Sequence, residues 1–91
     1  MDDLKRFQSQ LDGIDRQMSA LLEKRMAIVA KAAEYKWNRG VRSRKERKEE
    51  RVVEKAAELA CEIELVAYVE GLIEYMEDVG LKYERKIMRD L

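Results

Sequence analysis

Histidine and proline are both absent from this 91-residue chain, and cysteine occurs once. Without histidine there is no imidazole base, no His-based triad and no histidine ligand for zinc. A single cysteine, Cys61, cannot close an intrachain disulfide, which points to a reducing compartment. Flanked by Ala57, Leu59 and Ala60, it is expected to be a small buried hydrophobe. Four glycines and no proline leave little to interrupt helices, and a sheet is not expected. Neither sign of charge is in excess, because 19 Lys and Arg balance 19 Asp and Glu, so bulk attraction to polyanions is not expected. No apolar run approaches the roughly 18 residues of a membrane span, and no signal peptide is recognisable, so a cytoplasmic protein is expected.

What remains is apolar periodicity. Leu4, Phe7, Leu11, Ile14, Met18 and Leu21 recur in steps of three and four, the seam of a long packed helix from about Asp2 to Asn38. The next seam position is Arg25, after which Ile28, Ala32 and Tyr35 continue the stripe and Lys36 lies beside its end. Trp37-Asn38-Arg39-Gly40 supplies a C-terminal stop. A second helix is expected from about Arg44 to Glu62, with Val52, Val53, Ala56, Leu59, Ala60 and Ile63 as its stripe. A third runs from about Glu64 to Leu91, its inward face carrying Ile73, Gly80 and Glu84. Gly80 there leaves space for a neighbour or a ligand. The fold class is all-α, a single domain over 1–91 with long, short and medium helices. A rod of about 55 Å is too long for two shorter helices to cover, so an intertwined homodimer is expected.

Arg25, Lys36, the Lys48-Glu49 pair and Glu84 all interrupt apolar stripes. Any one of them alone reads as a snorkelling side chain. Together they come from all three helices, and cations with carboxylates around an apolar pocket suit a small hydroxylated dianion. No metal ligand set and no cofactor motif accompanies them. Between Lys36 and Lys48 seven basic residues stand against one acid, with Trp37 as a stacking residue, which offers a nucleic-acid reading. One aromatic is thin support for it, and nucleic acid is not the expected partner.

The run Leu11-Asp12-x-Ile14-Asp15, Leu21-Leu22-x-x-Arg25 and Lys36 resembles the first helix of the all-helical chorismate mutases. Twelve residues after the lysine, Lys48-Glu49 stands at the spacing of that family's Arg-Glu pair. The resemblance covers nearly the whole chain and implies the rearrangement of chorismate to prephenate in aromatic amino-acid biosynthesis, by a cofactor-free homodimer. It implies that Arg25 pairs with a substrate carboxylate, that Lys36 and Glu84 donate to the ether oxygen, and that Glu49 and Lys48 hold the ring-hydroxyl end. Three positions depart from the family pattern. Gln8 stands where an arginine reaches into the partner's site, Lys48 replaces the arginine of the pair, and Lys45 stands where aspartate is common. Arg6 or a basic residue of the 39–47 loop could compensate at the carboxylates. Two alternatives stay open: isochorismate-pyruvate lyase chemistry, and a non-catalytic or regulatory helical dimer, which Gln8 and Lys45 favour.

Overall fold

The computed structural model describes residues 2–41 and 48–91, with the backbone alone at Lys48 and Glu49. Its order is α1 (Asp3–Asn38), α2 (Lys48–Leu59), a 3-10 turn (Ile63–Leu65) and α3 (Val66–Asp90), with no strand among the described residues. Among the same residues, no helix is long and apolar enough to cross a membrane.

Both ends of α1 have local causes. The Asp2 side chain accepts from the Lys5 N–H at 2.8 Å, an N-cap that satisfies one otherwise unpartnered donor. At the other end Gly40 takes φ +68°, a conformation that glycine adopts without steric cost. The Val41 N–H then donates to the Lys36 carbonyl at 2.8 Å and the Gly40 N–H to that of Trp37 at 3.2 Å. These two bonds form a Schellman motif, and they end the helix at the turn that carries Lys36.

α3 is the middle element. It packs against α1 on one side and α2 on the other, while α1 and α2 make no direct backbone approach among the described residues. Arg25 meets Met76, and Lys36 meets Glu84, so α1 and α3 run in the same direction. Arg51 meets Glu77 while Val52 and Ala56 join Ile73 further back, so α2 runs antiparallel to α3. Val52, Ala56 and Ile73 are the buried cluster, with Val66, Val69 and Met76 packed around it.

Several expectations are corrected here. Beyond Arg25 the face of α1 turned to α3 is Val29, Ala33 and Lys36, whereas Ile28 is 66% and Tyr35 58% exposed. The reason is geometric: a heptad stripe drifts about 20° per repeat around a straight helix, so it leaves the contact face within a few turns. α2 ends at Leu59 rather than Glu62, and residues 44–47 of its expected start lie outside the described residues. The Leu65 N–H donates to the Glu62 carbonyl at 2.9 Å to close the 3-10 turn, and Ile63 is 91% exposed instead of joining the α2 stripe. Val53 and Leu59 are likewise exposed, because among the described residues α2 packs one face, against α3. Cys61 sits in the connection after α2 and is exposed, not buried.

The N-terminal half of α1 extends past α3, and among the described residues it approaches α3 only near Met18, where an apolar cavity opens towards Leu72 and Tyr75. Leu4, Phe7, Leu11, Ile14, Met18 and Leu21 are 48–65% exposed. α3, at 25 residues, is about 37 Å long and lies along the later part of α1 only.

Candidate functional site

Arg25 enters the α1–α3 seam at the point where α3 carries Gly80. A methyl group added there would lie 3.2 Å from Arg25 Nη1, so the missing side chain is what lets the guanidinium approach the helix. The neighbour that this glycine admits is Arg25. Its Nη1 donates to the Met76 carbonyl at 3.2 Å, one turn earlier on α3. Three turns further along α1, Lys36 Nζ donates to Glu84 Oε1 at 2.5 Å. The Glu84 side chain is only 9% exposed, and the ammonium beside it supplies the charge that a buried carboxylate requires.

Between these two anchors opens a cavity of about 340 Å³. Val29, Ala32, Gly80 and Leu81 form its apolar wall. Among the described residues its charged groups are three cations, Arg25, Lys36 and Arg51, and three carboxyls, Glu77, Asp78 and Glu84. Arg51 comes from α2, with Nη2 3.5 Å from Glu77 Oε2. A second, largely apolar cavity of about 490 Å³ lies on the N-terminal side of Arg25, among Met18, Leu22, Leu72 and Tyr75. Arg25 borders both.

Of the residues singled out from the sequence, Arg25, Lys36, Gly80 and Glu84 line the first cavity. Gln8 does not: it is exposed and lies 17 positions before Arg25, about 25 Å along the α1 axis. Lys45 lies outside the described residues, as do the side chains of Lys48 and Glu49. Arg51, Glu77 and Asp78 were not singled out. Glu77 lies seven residues before Glu84, hence on the same helical face, and Arg51 stands one turn beyond Lys48. Those spacings were the available signal.

The remaining charge of the basic segment is partly engaged within the chain. Lys36 is turned to Glu84, and the Arg39 guanidinium lies 3.6 Å from the centre of the Tyr35 ring. Residues 42–47 lie outside the described residues. Among the described residues no group of three His, Cys, Asp or Glu side chains is placed to hold a metal ion.

A family model described as chorismate mutase type II matches residues 7–89. No curated protein and no solved structure matches this chain.

The Lys36–Glu84 contact generates a stability prediction. Lys36→Met keeps an apolar stem and removes the ammonium. Relative to the parent protein, urea denaturation at pH 7 is expected to show a loss of about 2 kcal/mol. The loss should shrink towards pH 4.5, because a protonated Glu84 no longer carries a charge into a buried site. In the variant the folded state holds this proton more tightly than the unfolded chain, so stability falls as pH rises. An equal loss at both pH values would show that the ammonium does not stabilise the Glu84 charge.

Proposed function

The chain belongs to the type II chorismate mutase family, and from that premise we propose that it rearranges chorismate to prephenate in the 340 Å³ cavity. The observation that carries the proposal is the convergence of Arg25 and Lys36 from α1 with Glu84 from α3 on one apolar-walled space.

The reaction breaks a C–O bond and forms a C–C bond in one pericyclic step. No proton is transferred and no covalent enzyme intermediate is needed, so the absence of histidine is no obstacle. The protein must hold a flexible dianion in its folded, reactive conformer and stabilise negative charge at the ether oxygen. Arg25 supplies a planar fork for a carboxylate, and its seat against Gly80 fixes where that fork points. Lys36 has three donors; one is used on Glu84, which leaves the others for the ether oxygen.

Glu84 contributes to the reaction as a donor when it is protonated. Lys36 favours its ionised form, and burial opposes it. A dianion entering the cavity adds negative charge beside Glu84 and favours proton uptake. Turnover is therefore expected to rise as pH falls below neutral. The check is the disappearance of chorismate followed by absorbance at pH 5 and pH 7.5. Arg25→Ala should lower turnover at least 100-fold at either pH, a loss of roughly 3 kcal/mol in transition-state binding. Glu84→Gln, which donates at every pH, should flatten the profile. A profile unchanged in that variant removes Glu84 from the mechanism, and no turnover by the parent protein removes the mutase reading. Release of pyruvate from isochorismate would instead assign the lyase chemistry.

The working form is a homodimer. The uncovered half of α1 presents six large apolar side chains in one stripe, continuous with the apolar cavity beside Arg25. Burying a side chain of this size contributes about 1.5–3 kcal/mol, so the stripe supplies on the order of 10 kcal/mol towards association. A second copy's α1 fits this surface, and only from a second copy could Gln8 reach the cavity. Sedimentation should give twice the 10.8 kDa chain mass. The double variant Leu11→Lys, Ile14→Lys should sediment as a monomer, and a parent protein that is monomeric at micromolar concentration would overturn the dimer.

A further inference from the structure

Gly80 lies in the interior of α3 and is buried. Alanine is intrinsically the better residue inside a helix, because glycine loses more conformational freedom on folding. Backbone conformation does not call for glycine there: among the described glycines only Gly40 has a positive φ. The difference from Gly71, the other glycine of α3, is what lies opposite. A methyl group added at Gly71 meets nothing within 4 Å, whereas at Gly80 it lies 3.2 Å from Arg25 Nη1 and 3.8 Å from Val29 Cγ2. The Val29 distance is ordinary van der Waals contact, so Arg25 is the side chain that such a methyl displaces. The bond from Nη1 to the Met76 carbonyl is 3.2 Å, already at the long end of the hydrogen-bonding range, and a small further shift weakens it sharply.

A guanidinium can grip a carboxylate bidentately along either of two edges, one formed by Nε and Nη2 and the other by its two terminal nitrogens. Arg25 borders two cavities, so without an anchor its guanidinium has room to turn towards either. Holding Nη1 on the Met76 carbonyl removes that freedom and engages one nitrogen of the second edge. We propose that Gly80 is a positioning residue, which admits Nη1 to the Met76 carbonyl and thereby presents the Nε–Nη2 edge of Arg25 to a carboxylate of the ligand. Gly80 touches no ligand atom in this role and acts through Arg25. The proposal rests on the chorismate mutase reading for the identity of the ligand. It also gives the weaker helix at this position a physical reason, since the residue that would stabilise α3 there is one that moves Arg25 off its anchor.

The experiment measures the melting temperature, and kcat and KM with chorismate. It compares the parent protein with Gly71→Ala, Gly80→Ala, Arg25→Lys and the double variant Arg25→Lys, Gly80→Ala. Gly71→Ala should raise the melting temperature by about 4–8 °C, the gain from replacing a helical glycine in a domain of this size, and leave kcat/KM unchanged. Gly80→Ala should gain less than Gly71→Ala, while kcat/KM falls about 10-fold. Lysine has no Nη1 and no edge to orient. In the Arg25→Lys background Gly80→Ala should therefore bring the full gain in melting temperature and no further loss of kcat/KM. A glycine with a merely structural role would show the same shortfall and the same loss in both backgrounds. If the parent protein consumes chorismate and Gly80→Ala keeps its kcat/KM, or loses it equally in both backgrounds, the proposal falls and the mutase reading stands. The same holds if Gly71→Ala lowers kcat/KM as much as Gly80→Ala does. If the parent protein leaves chorismate untouched, the mutase reading falls, and the melting temperatures alone decide whether Gly80 seats Arg25. An equal gain from Gly80→Ala in both backgrounds then removes the seat as well.

Discussion

The contact between Lys36 and Glu84 is the constraint on which the rest of the molecule depends. Glu84 is the one buried charged residue among those described, and a carboxylate in that position is tolerated only with a cation against it. Meeting that requirement sets the register of α1 against α3, because Lys36 and Glu84 must come level. The Gly40 stop ends α1 at that same turn, one of its two bonds closing on the carbonyl of Lys36. With that register fixed, the helical repeat places Arg25 three turns back, where Gly80 has no side chain to exclude it. A seam of hydrocarbon alone would tolerate slippage by one turn. A charged pair at one end and a glycine seat further back do not.

The same arrangement explains why so little of the chain is buried. Among the described residues the buried apolar ones are Ala33, Val52, Ala56 and Ile73, a small set for a domain. α3 is shared between two neighbours, and the cavity with its six charged side chains lies in the α1–α3 seam. Such a core is marginal by itself, since small domains gain little net stability from hydrophobic burial. The apolar stripe on the free half of α1 is the largest remaining reserve of burial, and it adjoins the site at Arg25.

How much of this was legible beforehand differs by element. The long helix and its stop were plain, because a continuous heptad pattern and an Asn-Arg-Gly terminus are local signals. Arg25 and Lys36 were legible as a pair because eleven residues make about three turns. Ile28 and Tyr35 were misplaced because the stripe was extended as a heptad across a helix that turns every 3.6 residues. The end of α2 and the exposure of Cys61 were missed for a different reason: no proline or glycine marks that boundary, and the chain turns there through a 3-10 segment. Arg51 and Glu77 look like ordinary surface charges in sequence. Only the antiparallel approach of α2 to α3 brings them to the cavity, and nothing local encodes that approach.

The balance of charge in the cavity bears on what it can select. Among the described residues three cations face three carboxyls, so with every group ionised these six charges balance. By themselves they contribute little long-range steering of anions. Discrimination by these groups acts at contact distance, through the geometry in which their donors are held. A monoanion can satisfy one guanidinium and leaves the other pairs in place. A dianion whose folded conformer has the right spacing can engage two cations together, and the second contact is then made at high effective concentration. Neutrality thus makes spacing, rather than charge, the property that the cavity reads.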